Sequence, residues 1–437
     1  MNAAGPARVE AFAVLRLVAK GHPINEAMAE RGLAAKLSTR DRQLVTQIAY
    51  GVLRHRRYLD AWIAPLAHGK LDAEVQDLLR MAFFQMKFLD RVPDYAIVHA
   101  AVELTKEIKP KASGLVNAVL RRGLGHPPEN LPLAVQYSHP DWLVDRWSKR
   151  YGRELETILA EDNQVPPLTL RVNTQKTDTE AVMAALAAQG IEAQCSQYLP
   201  EAIRVRGSLW LEDFEPYRRG EISVQDESGM LVAWSMPAPM GPAVVLDMAA
   251  GLGGKSTHFL ERWPEVTVVA VDKSAIRLRG LERNAKRLGL NGRLEAVHDD
   301  ARHFVETRQG FYQRIILDAP CSGLGVLRRR VDGRWSKHPD DLIGLRTLQR
   351  ELIESAWQAL APGGILVYST CSVEPEETQE QIAWTEETQP GVKRMNLAEN
   401  LPTSALSSAV KDQMLSILPG QFGMDGFFIA QLMKVKA

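Results

Sequence analysis

The sequence predicts a multidomain protein with an all-α N-terminal domain, a small α+β middle subdomain and a C-terminal α/β domain built on a mostly parallel sheet. Three observations lead to this prediction. The chain has 437 residues, which is more than one hydrophobic core usually serves. Apolar residues recur at helical spacing through the first 120 residues or so. From residue 243 onward, short apolar strands alternate with amphipathic helices.

The N-terminal domain is predicted for residues 1–137. Stretches such as "VEAFAVLRLVAKG" and "EVQDLLRMAFFQMKFLD" place apolar residues three and four apart, which is the period of one helix face. Another stretch, "STRDRQLVTQIAYGVLRHRRYLD", opens on Ser38 or Thr39, either of which can cap a helix. A linker rich in glycine and proline, "GLGHPPENLP", follows these helices.

Two further regions complete the predicted organisation. Residues 138–235 mix a helix in "DWLVDRWSKRYG" with strands in "LTLRVNT" and "AIRVRG", which indicates a small α+β unit. Residues 236–437 contain five strand patterns separated by helices: "AVVLDM", "VTVVAVD", "GRLEAVHD", "QRIILDAP" and "GILVYST". In a doubly wound sheet of this kind, ligands bind at the carboxyl ends of the strands.

The composition narrows the class of protein. With 45% hydrophobic and 24% charged residues, and with no run of about 18 apolar residues, a globular cytoplasmic protein without membrane contact is expected. The N-terminus has no signal-peptide pattern. Residues 1–140 hold 19 basic and 13 acidic residues, whereas the remainder holds 34 basic and 40 acidic residues. A basic front end on an acidic body suggests a polyanionic partner.

A loop of small residues follows the first strand of the C-terminal domain, and three kinds of ligand compete for it. The loop consists of Ala249, Ala250, Gly251, Leu252, Gly253, Gly254 and Lys255. A dinucleotide fingerprint fails because its third glycine falls on Ser256, and a phosphate-binding P-loop is a near miss because its first glycine falls on Ala249. S-adenosylmethionine is the third candidate, because acids that suit its ribose and adenine end the next two strands, at Asp272 and at Asp299-Asp300.

The chain has three cysteines, which are too few for a disulfide framework and form no zinc-binding pair. Cys321 and Cys371 each come just after a strand, in a turn flanked by serine, so both are expected at the ligand edge of the sheet. Cys195 lies in no comparable pattern and is interpreted as a buried small hydrophobe. Two thiols at one sheet edge suggest covalent chemistry beside the cofactor.

Methylation of a pyrimidine at carbon 5 is a reaction that uses this combination. Carbon 5 is a weak nucleophile until a thiolate adds to carbon 6, and an acid near ring nitrogen 3 assists that addition. Cys371, Asp318 and the glycine loop supply a thiol, an acid and a cofactor site. From the residues alone, the P-loop interpretation stays open.

The motifs "LDMAAGLGGKSTH", "LDAPCSGLGVLRR" and "VYSTCSVEPEE" resemble those of RNA 5-cytosine methyltransferases, a family with a Rossmann-like catalytic domain. The resemblance implies that Cys371 is the nucleophile, that Cys321 assists product release and that Asp318 acts at ring nitrogen 3. It implies S-adenosyl-L-methionine as cofactor, bound by the loop 249–255, Asp272, Asp300 and Asp318. DNA cytosine methyltransferases attack from a Pro-Cys motif, so the reverse assignment of the two thiols is the rival.

The front end, through "STRDRQLVTQIAYGVLRHRRYLD" and "SGLVNAVLRR", resembles a NusB-like RNA-binding domain, so that the likeness spans nearly the whole chain. A NusB-like front end followed by this catalytic domain resembles the organisation of bacterial 16S ribosomal RNA cytosine-5 methyltransferases. The resemblance implies a monomer that acts on small-subunit rRNA before full assembly. Alternatives are a tRNA cytosine-5 methyltransferase, a non-catalytic RNA-binding assembly factor with a relic methyltransferase domain, and a P-loop nucleotidase.

Two stretches depart from the family pattern. The loop reads "AAGLGGK" where the family has Ala-Pro in place of Gly251-Leu252, and "RVDGRW" replaces a His-Pro-Asp-Ile-Lys-Trp segment that is expected to face the RNA. Arginines suit phosphate because their planar fork binds two oxygens. The arginines expected to contact RNA are Arg56, Arg57, Arg328, Arg329 and Arg334.

Overall fold

The computed structural model describes residues 5–67, 69–90 and 92–435. The chain forms two compact units. The first, here called the helical unit, runs to Val165 and also includes Leu327–Ser336; the second, the sheet unit, comprises Pro166–Val326 and Lys337–Ala437. This division differs from the three predicted ranges, because the helices that follow residue 138 and a ten-residue segment far along the chain both belong to the helical unit.

Among its described residues before Val165, the helical unit has eleven α-helices. Ser38, one of the two predicted caps, caps the fourth helix: its hydroxyl accepts a hydrogen bond from the backbone N–H of Asp41 at 3.2 Å. The core contains aromatic side chains such as Trp62 and Phe83, whose ring centroids are 4.7 Å apart. The helices are α1 (Pro6–Ala19), α2 (Ile24–Glu30), α3 (Leu33–Lys36), α4 (Thr39–Arg54), α5 (Arg56–Ile63), α6 (Ala73–Phe88), α7 (Asp94–Ile108), α8 (Ser113–Gly123), α9 (Leu133–Gln136), α10 (Asp141–Tyr151) and α11 (Leu155–Glu161).

The segment Leu327–Ser336 is an integral part of the helical unit. Val331 is fully buried in that unit's core, and the indole N–H of Trp335 donates to the Leu53 carbonyl at 2.8 Å. The Asp332 carboxylate accepts from the backbone N–H of Ile24 at 3.2 Å. The expectation that "RVDGRW" faces the RNA is therefore wrong for its main anchors, because they hold the segment against the helices.

Arg334 is the centre of this attachment and is fully buried. One guanidinium nitrogen donates to the carbonyls of Arg54 and Ser138, both at 3.1 Å, and to the Asn163 side-chain oxygen at 2.8 Å. The other donates to the Asp162 carbonyl at 2.9 Å. Burial lowers the pKa of Arg334 to about 10, so the side chain remains a cation at neutral pH.

A small antiparallel sheet begins the sheet unit. Its strands are arranged in the order β2-β3-β1-β4, and the adjoining helix is α12 (Thr179–Ala188). Cys195 ends the edge strand and is exposed, so its interpretation as a buried hydrophobe is wrong. The strands are β1 (Leu168–Val172), β2 (Ala193–Cys195), β3 (Ala202–Val205) and β4 (Ile222–Val224).

The large sheet has the order β11-β12-β13-β9-β8-β5-β6-β7, and β10 pairs with β13. The five pattern-predicted strands, β5 to β9, pair in parallel, with β7 at the edge of the sheet, and β13 joins β9 antiparallel. The sheet is thus mostly parallel, as predicted. Its strands are β5 (Ala243–Asp247), β6 (Val266–Asp272), β7 (Leu294–His298), β8 (Tyr312–Asp318), β9 (Leu360–Thr370), β10 (Val392–Arg394), β11 (Val410–Lys411), β12 (Met414–Ile417) and β13 (Phe427–Lys434).

Helices connect and cover these strands. Apolar side chains of these helices are buried against the two faces of the sheet, among them Phe259 on one side and Trp357 on the other. Among the described residues, no helix combines the length and the apolar character that crossing a membrane requires. The helices are α13 (Glu215–Arg218), α14 (Glu227–Ser235), α15 (Gly254–Arg262), α16 (Ala275–Leu288), α17 (Ala301–Phe304), α18 (Pro339–Ala359), α19 (Gln379–Thr388) and α20 (Ser404–Ser408).

Candidate active site

The predicted cofactor loop connects β5 to the N-terminus of α15. Gly251 and Gly253 have φ angles of +57° and +81°, a region that residues with a Cβ rarely adopt. A Cβ at Gly251 would enter open space, whereas one at Gly253 would lie 2.6 Å from the Leu281 side chain. The left-handed turn thus accounts for glycine at position 251, where the family pattern has another residue. Leu252 between them is 66% exposed.

Asp272 fastens this loop to the end of β6. One carboxylate oxygen accepts from the backbone N–H of Gly251 and the other from that of Ser274, both at 2.8 Å. Asp272 is 9% exposed. Since a carboxylate has about four acceptor positions, these two bonds leave capacity for the hydroxyl groups of a ribose.

Asp300 follows the next strand, β7, and caps α17 through the backbone N–H of Arg302 at 3.0 Å. Hydrogen bonds from the Arg302 side chain hold the pKa of Asp300 well below its usual range, and Lys273 also pairs with it at 2.9 Å. The group is therefore an anion at neutral pH. Together with the glycine loop, it gives a donor and acceptor set that fits S-adenosylmethionine: backbone amides at a helix start, and carboxylates ending two successive strands.

Lys255 and Asp318 form an ion pair beside the loop, with 2.5 Å between the ammonium nitrogen and a carboxylate oxygen. Burial alone would lower the pKa of Lys255, but the Asp318 carboxylate outweighs it, so the pKa lies above the ordinary value. The Ser369 hydroxyl donates to the other Asp318 oxygen at 2.9 Å. Ser369 was not predicted as a site residue, although it lies in the stretch "VYSTCS".

The two cysteines that the sequence singled out come together at this edge. The sulfur atoms of Cys321 and Cys371 are 3.3 Å apart, which is within hydrogen-bond reach for thiols. Both side chains are partly buried. The hydrogen bond with Cys371 and the burial of the thiol raise the pKa of Cys321 well above its ordinary value. Cys321 is thus held in its protonated form beside Cys371.

A further acid of the site, Glu377, was not predicted from the sequence. Glu377 is fully buried, and its carboxylate binds serine groups next to both cysteines. Nothing in the sequence distinguishes it from Glu374 and Glu376 in the same acidic run. Serine flanking each cysteine was the available signal, because two buried hydroxyls need a shared partner.

The arginines proposed as RNA ligands have varied surroundings within the helical unit. Arg328 is 3% exposed and Arg334 is fully buried, so the expectation that these two arginines contact RNA is wrong. Arg57 pairs with Asp141 at 2.8 Å and donates to the His139 carbonyl at 2.7 Å. The Arg56 guanidinium lies 5.5 Å from the centre of the Trp335 ring. Arg329 is half-buried.

The sheet unit has the features of a Rossmann-like methyltransferase. These are the parallel sheet, the loop after its first strand and the acids that end the next strands. Models of known protein families match three successive parts of this chain. They are the NusB family at residues 6–124, a ferredoxin-like domain of the RsmF/B type at 139–210, and 16S rRNA methyltransferase RsmB/F at 236–433.

Curated relatives match over nearly the full length. Probable ribosomal RNA small subunit methyltransferase B of Bacillus subtilis is 35% identical, over 91% of this chain and 92% of that protein. Ribosomal RNA small subunit methyltransferase B of Vibrio cholerae is 33% identical, over 97% and 96%. The crystal structure of PH0851 is 25% identical, with a TM-score of 0.83 over 98% of each chain. This chain belongs to the RsmB/F family of 16S rRNA methyltransferases.

Proposed function

We propose that this protein methylates carbon 5 of a cytosine in small-subunit ribosomal RNA through a covalent adduct with Cys371. The observation that carries the proposal is the 3.3 Å separation of two thiols next to Asp318, at the edge where the glycine loop begins a helix. The choice of ribosomal RNA rests on relatives whose names specify the small subunit. A NusB-family domain, a class that the sequence argument associated with RNA, precedes the catalytic domain.

The two thiols would divide the reaction. Cys371 forms a bond from sulfur to carbon 6 of the base, and the ring electrons move to carbon 5, which becomes nucleophilic. During this addition the carboxyl group of Asp318, carrying a proton, donates a hydrogen bond to ring nitrogen 3, and Lys255 and Ser369 hold that group in place. After carbon 5 is methylated, a base removes its proton, the electrons of that C–H bond restore the 5–6 double bond, and the sulfur of Cys371 leaves as a thiolate. Cys321 assists this release as a protonated neighbour of the departing sulfur.

S-adenosylmethionine, when bound, supplies the methyl group as an electrophile. The residues proposed to hold it are Asp272, Asp300 and the loop 249–255. Asp272 binds the Gly251 amide, so the same carboxylate that would receive ribose hydroxyls also shapes the loop. Asp318, which pairs with Lys255 of this loop and whose charge acts on Cys321, would border both the cofactor and the base.

The assignment of the thiols is tested with two variants and RNA. Cys371→Ala should form no adduct and transfer no methyl group, whereas Cys321→Ala should methylate and then stay attached, giving a protein–RNA band on denaturing electrophoresis. RNA containing 5-fluorocytidine should trap the wild type but not Cys371→Ala, because fluorine does not leave as a proton does. Loss of the adduct in Cys321→Ala with accumulation in Cys371→Ala would reverse the roles.

The substrate is tested by bisulfite sequencing of rRNA and tRNA from a deletion strain and from the same strain complemented with the gene. Loss of one protected cytosine in small-subunit rRNA, restored by the wild-type gene but not by the Cys371→Ala gene, is expected. A lost site in tRNA instead would move the activity to the tRNA enzymes. No lost site in either RNA would favour a non-catalytic assembly factor.

A further inference from the structure

Glu377 lies in a short turn after the Cys371 loop and links that loop to the Cys321 loop. One carboxylate oxygen accepts from the backbone N–H of Ser322 at 2.8 Å, and the other accepts from the Ser372 hydroxyl at 2.5 Å. The Ser322 hydroxyl also donates to Glu377. Ser322 directly follows Cys321, and Ser372 directly follows Cys371. A single carboxylate therefore binds the residue next to each thiol.

A second side chain closes the arrangement from the other side. The Gln349 amide donates to Glu377 at 3.1 Å and to the Pro320 carbonyl at 2.9 Å. Pro320 and Ser322 flank Cys321, so this cysteine is held on both sides by Gln349 and Glu377. The Cys371 carbonyl accepts from the backbone N–H of Gly325 at 3.0 Å, which ties the two loops together once more.

The chemistry of these contacts indicates why a carboxylate occupies the position. Burying a charge is costly unless several donors satisfy it, and Glu377 receives two hydroxyls, one backbone amide and one side-chain amide. A neutral amide at this position has only one acceptor oxygen, so it cannot accept from all four donors. The geometry thus needs the acceptor capacity that an ionised acid provides.

We propose that Glu377 is a positioning residue that holds the Cys321 and Cys371 loops so that both thiols act in turn on one base. The proposal rests on the function proposed above, since it assigns the residue a part in that reaction. Glu377 touches neither reacting sulfur in the contacts above and acts through Ser322 and Ser372. Its negative charge adds to the hydrogen bond and burial that keep the pKa of Cys321 high.

The first test measures, in the absence of RNA, how fast the two thiols form a disulfide with each other. Oxidised glutathione forms a mixed disulfide with one cysteine and releases one glutathione; the second cysteine then displaces the other glutathione, leaving a Cys321–Cys371 disulfide. In the wild type the sulfur atoms need to close from 3.3 Å to about 2.0 Å. Glu377→Gln should slow this second step about tenfold, measured as the 2 Da mass loss of the peptide pair. Glu380→Gln, an exposed acid on α19, is the matched control and should match the wild type.

The second test measures the reaction. Glu377→Gln should lower single-turnover methylation about a hundredfold and lengthen the lifetime of the adduct, with unchanged affinity for S-adenosylmethionine. Ser372→Ala, which removes one donor, should give a smaller effect in both tests, and it replaces Glu377→Gln if that variant does not fold. Combining it with Glu377→Gln should add little, because both changes break the same bond.

The outcomes separate the two proposals. Slower disulfide closure with no methylation even in the wild type would retain the positioning role and overturn the proposed reaction. Wild-type rates in Glu377→Gln for both disulfide closure and methylation would overturn the positioning role and leave the reaction standing. A loss of methylation with wild-type disulfide closure would also overturn it, because the thiols would then be in place without Glu377.

Discussion

Arg334 in the helical unit and Glu377 in the sheet unit are both fully buried charges, but they are satisfied by opposite partners. The Arg334 cation binds oxygen atoms from three distant stretches of chain, around residues 54, 138 and 162. The Glu377 anion binds hydroxyl and amide donors beside two reactive thiols. A buried charge satisfied by backbone carbonyls thus stabilises an architecture, whereas one satisfied by short polar side chains can fix the position of their reactive neighbours.

The largest effect is expected from Arg334→Met. Removing the guanidinium leaves three backbone carbonyls and one side-chain oxygen without their donors in a buried site. We expect the free energy of unfolding to fall by about 3–5 kcal/mol, measured by urea titration. Arg330→Ala, an exposed arginine of the same segment, should change it by less than about 0.5 kcal/mol. A loss below about 1 kcal/mol for Arg334→Met would show that other donors replace it.

Asp272 extends the comparison to a carboxylate at the edge of the proposed cofactor site. Asp272→Ala removes the acceptors proposed for the ribose hydroxyls and also releases the Gly251 amide. We expect S-adenosylmethionine binding, measured by calorimetry, to weaken by about 1–3 kcal/mol. Asp272→Asn should lose less, since it retains one acceptor oxygen. Unchanged affinity in both variants would leave Asp272 with the single role of fastening the loop.

Buried histidines make both units sensitive to acid. Burial, with further repulsion from Arg54 and Arg334, lowers the pKa of His55 to about 3; in the sheet unit, burial lowers that of His258 to about 4. Between the unfolded pKa of about 6.5 and these values, the unfolded chain binds more protons than the folded one, so stability falls as the pH falls. From pH 7 to pH 5, we expect each histidine to cost about 1–2 kcal/mol.

The contribution of one histidine is isolated by substitution. His55 stacks on Phe88 with 4.1 Å between the ring centres, so phenylalanine at position 55 retains the ring contact and removes the titrating group. In His55→Phe, the loss of unfolding free energy between pH 7 and pH 5 should shrink by about 1–2 kcal/mol. An unchanged pH dependence would mean that His55 binds its proton equally well in the folded chain.

The smallest effect concerns an exposed cation, in contrast to Arg334. Arg121 lies on the exposed side of α8 and makes a local hydrogen bond to Asn117 at 3.2 Å. If it contacts a phosphate, Arg121→Ala should reduce the slope of log affinity against log salt by about 1 unit or less and weaken RNA binding uniformly across sequences. Filter binding at several salt concentrations measures this. An unchanged slope would show that Arg121 makes no ionic contact with the RNA.

The sheet and its two cysteines could be predicted from the sequence because they depend on local patterns. Strand periodicity locates β8 and β9, and parallel strands bring their carboxyl ends to one edge, which places Cys321 near Cys371. The burial of Arg334 could not be predicted, since its acceptors lie about 170 to 280 positions away and an arginine-rich segment is typical of a surface. Glu377 was not predicted for a similar reason: its hydrogen bonds to Ser322 and Ser372 distinguish it from Glu374, which is equally buried, and periodicity carries no such information.

The return of Leu327–Ser336 to the helical unit has a consequence for how the gene can be divided. A fragment that ends near residue 137 lacks both this segment and the stretch around Asp162 that Arg334 binds. A fragment that begins there carries Val331 and Trp335 without the helices that cover them. Neither piece is therefore a self-sufficient module, and independent expression should favour aggregation or proteolysis of the orphaned segment.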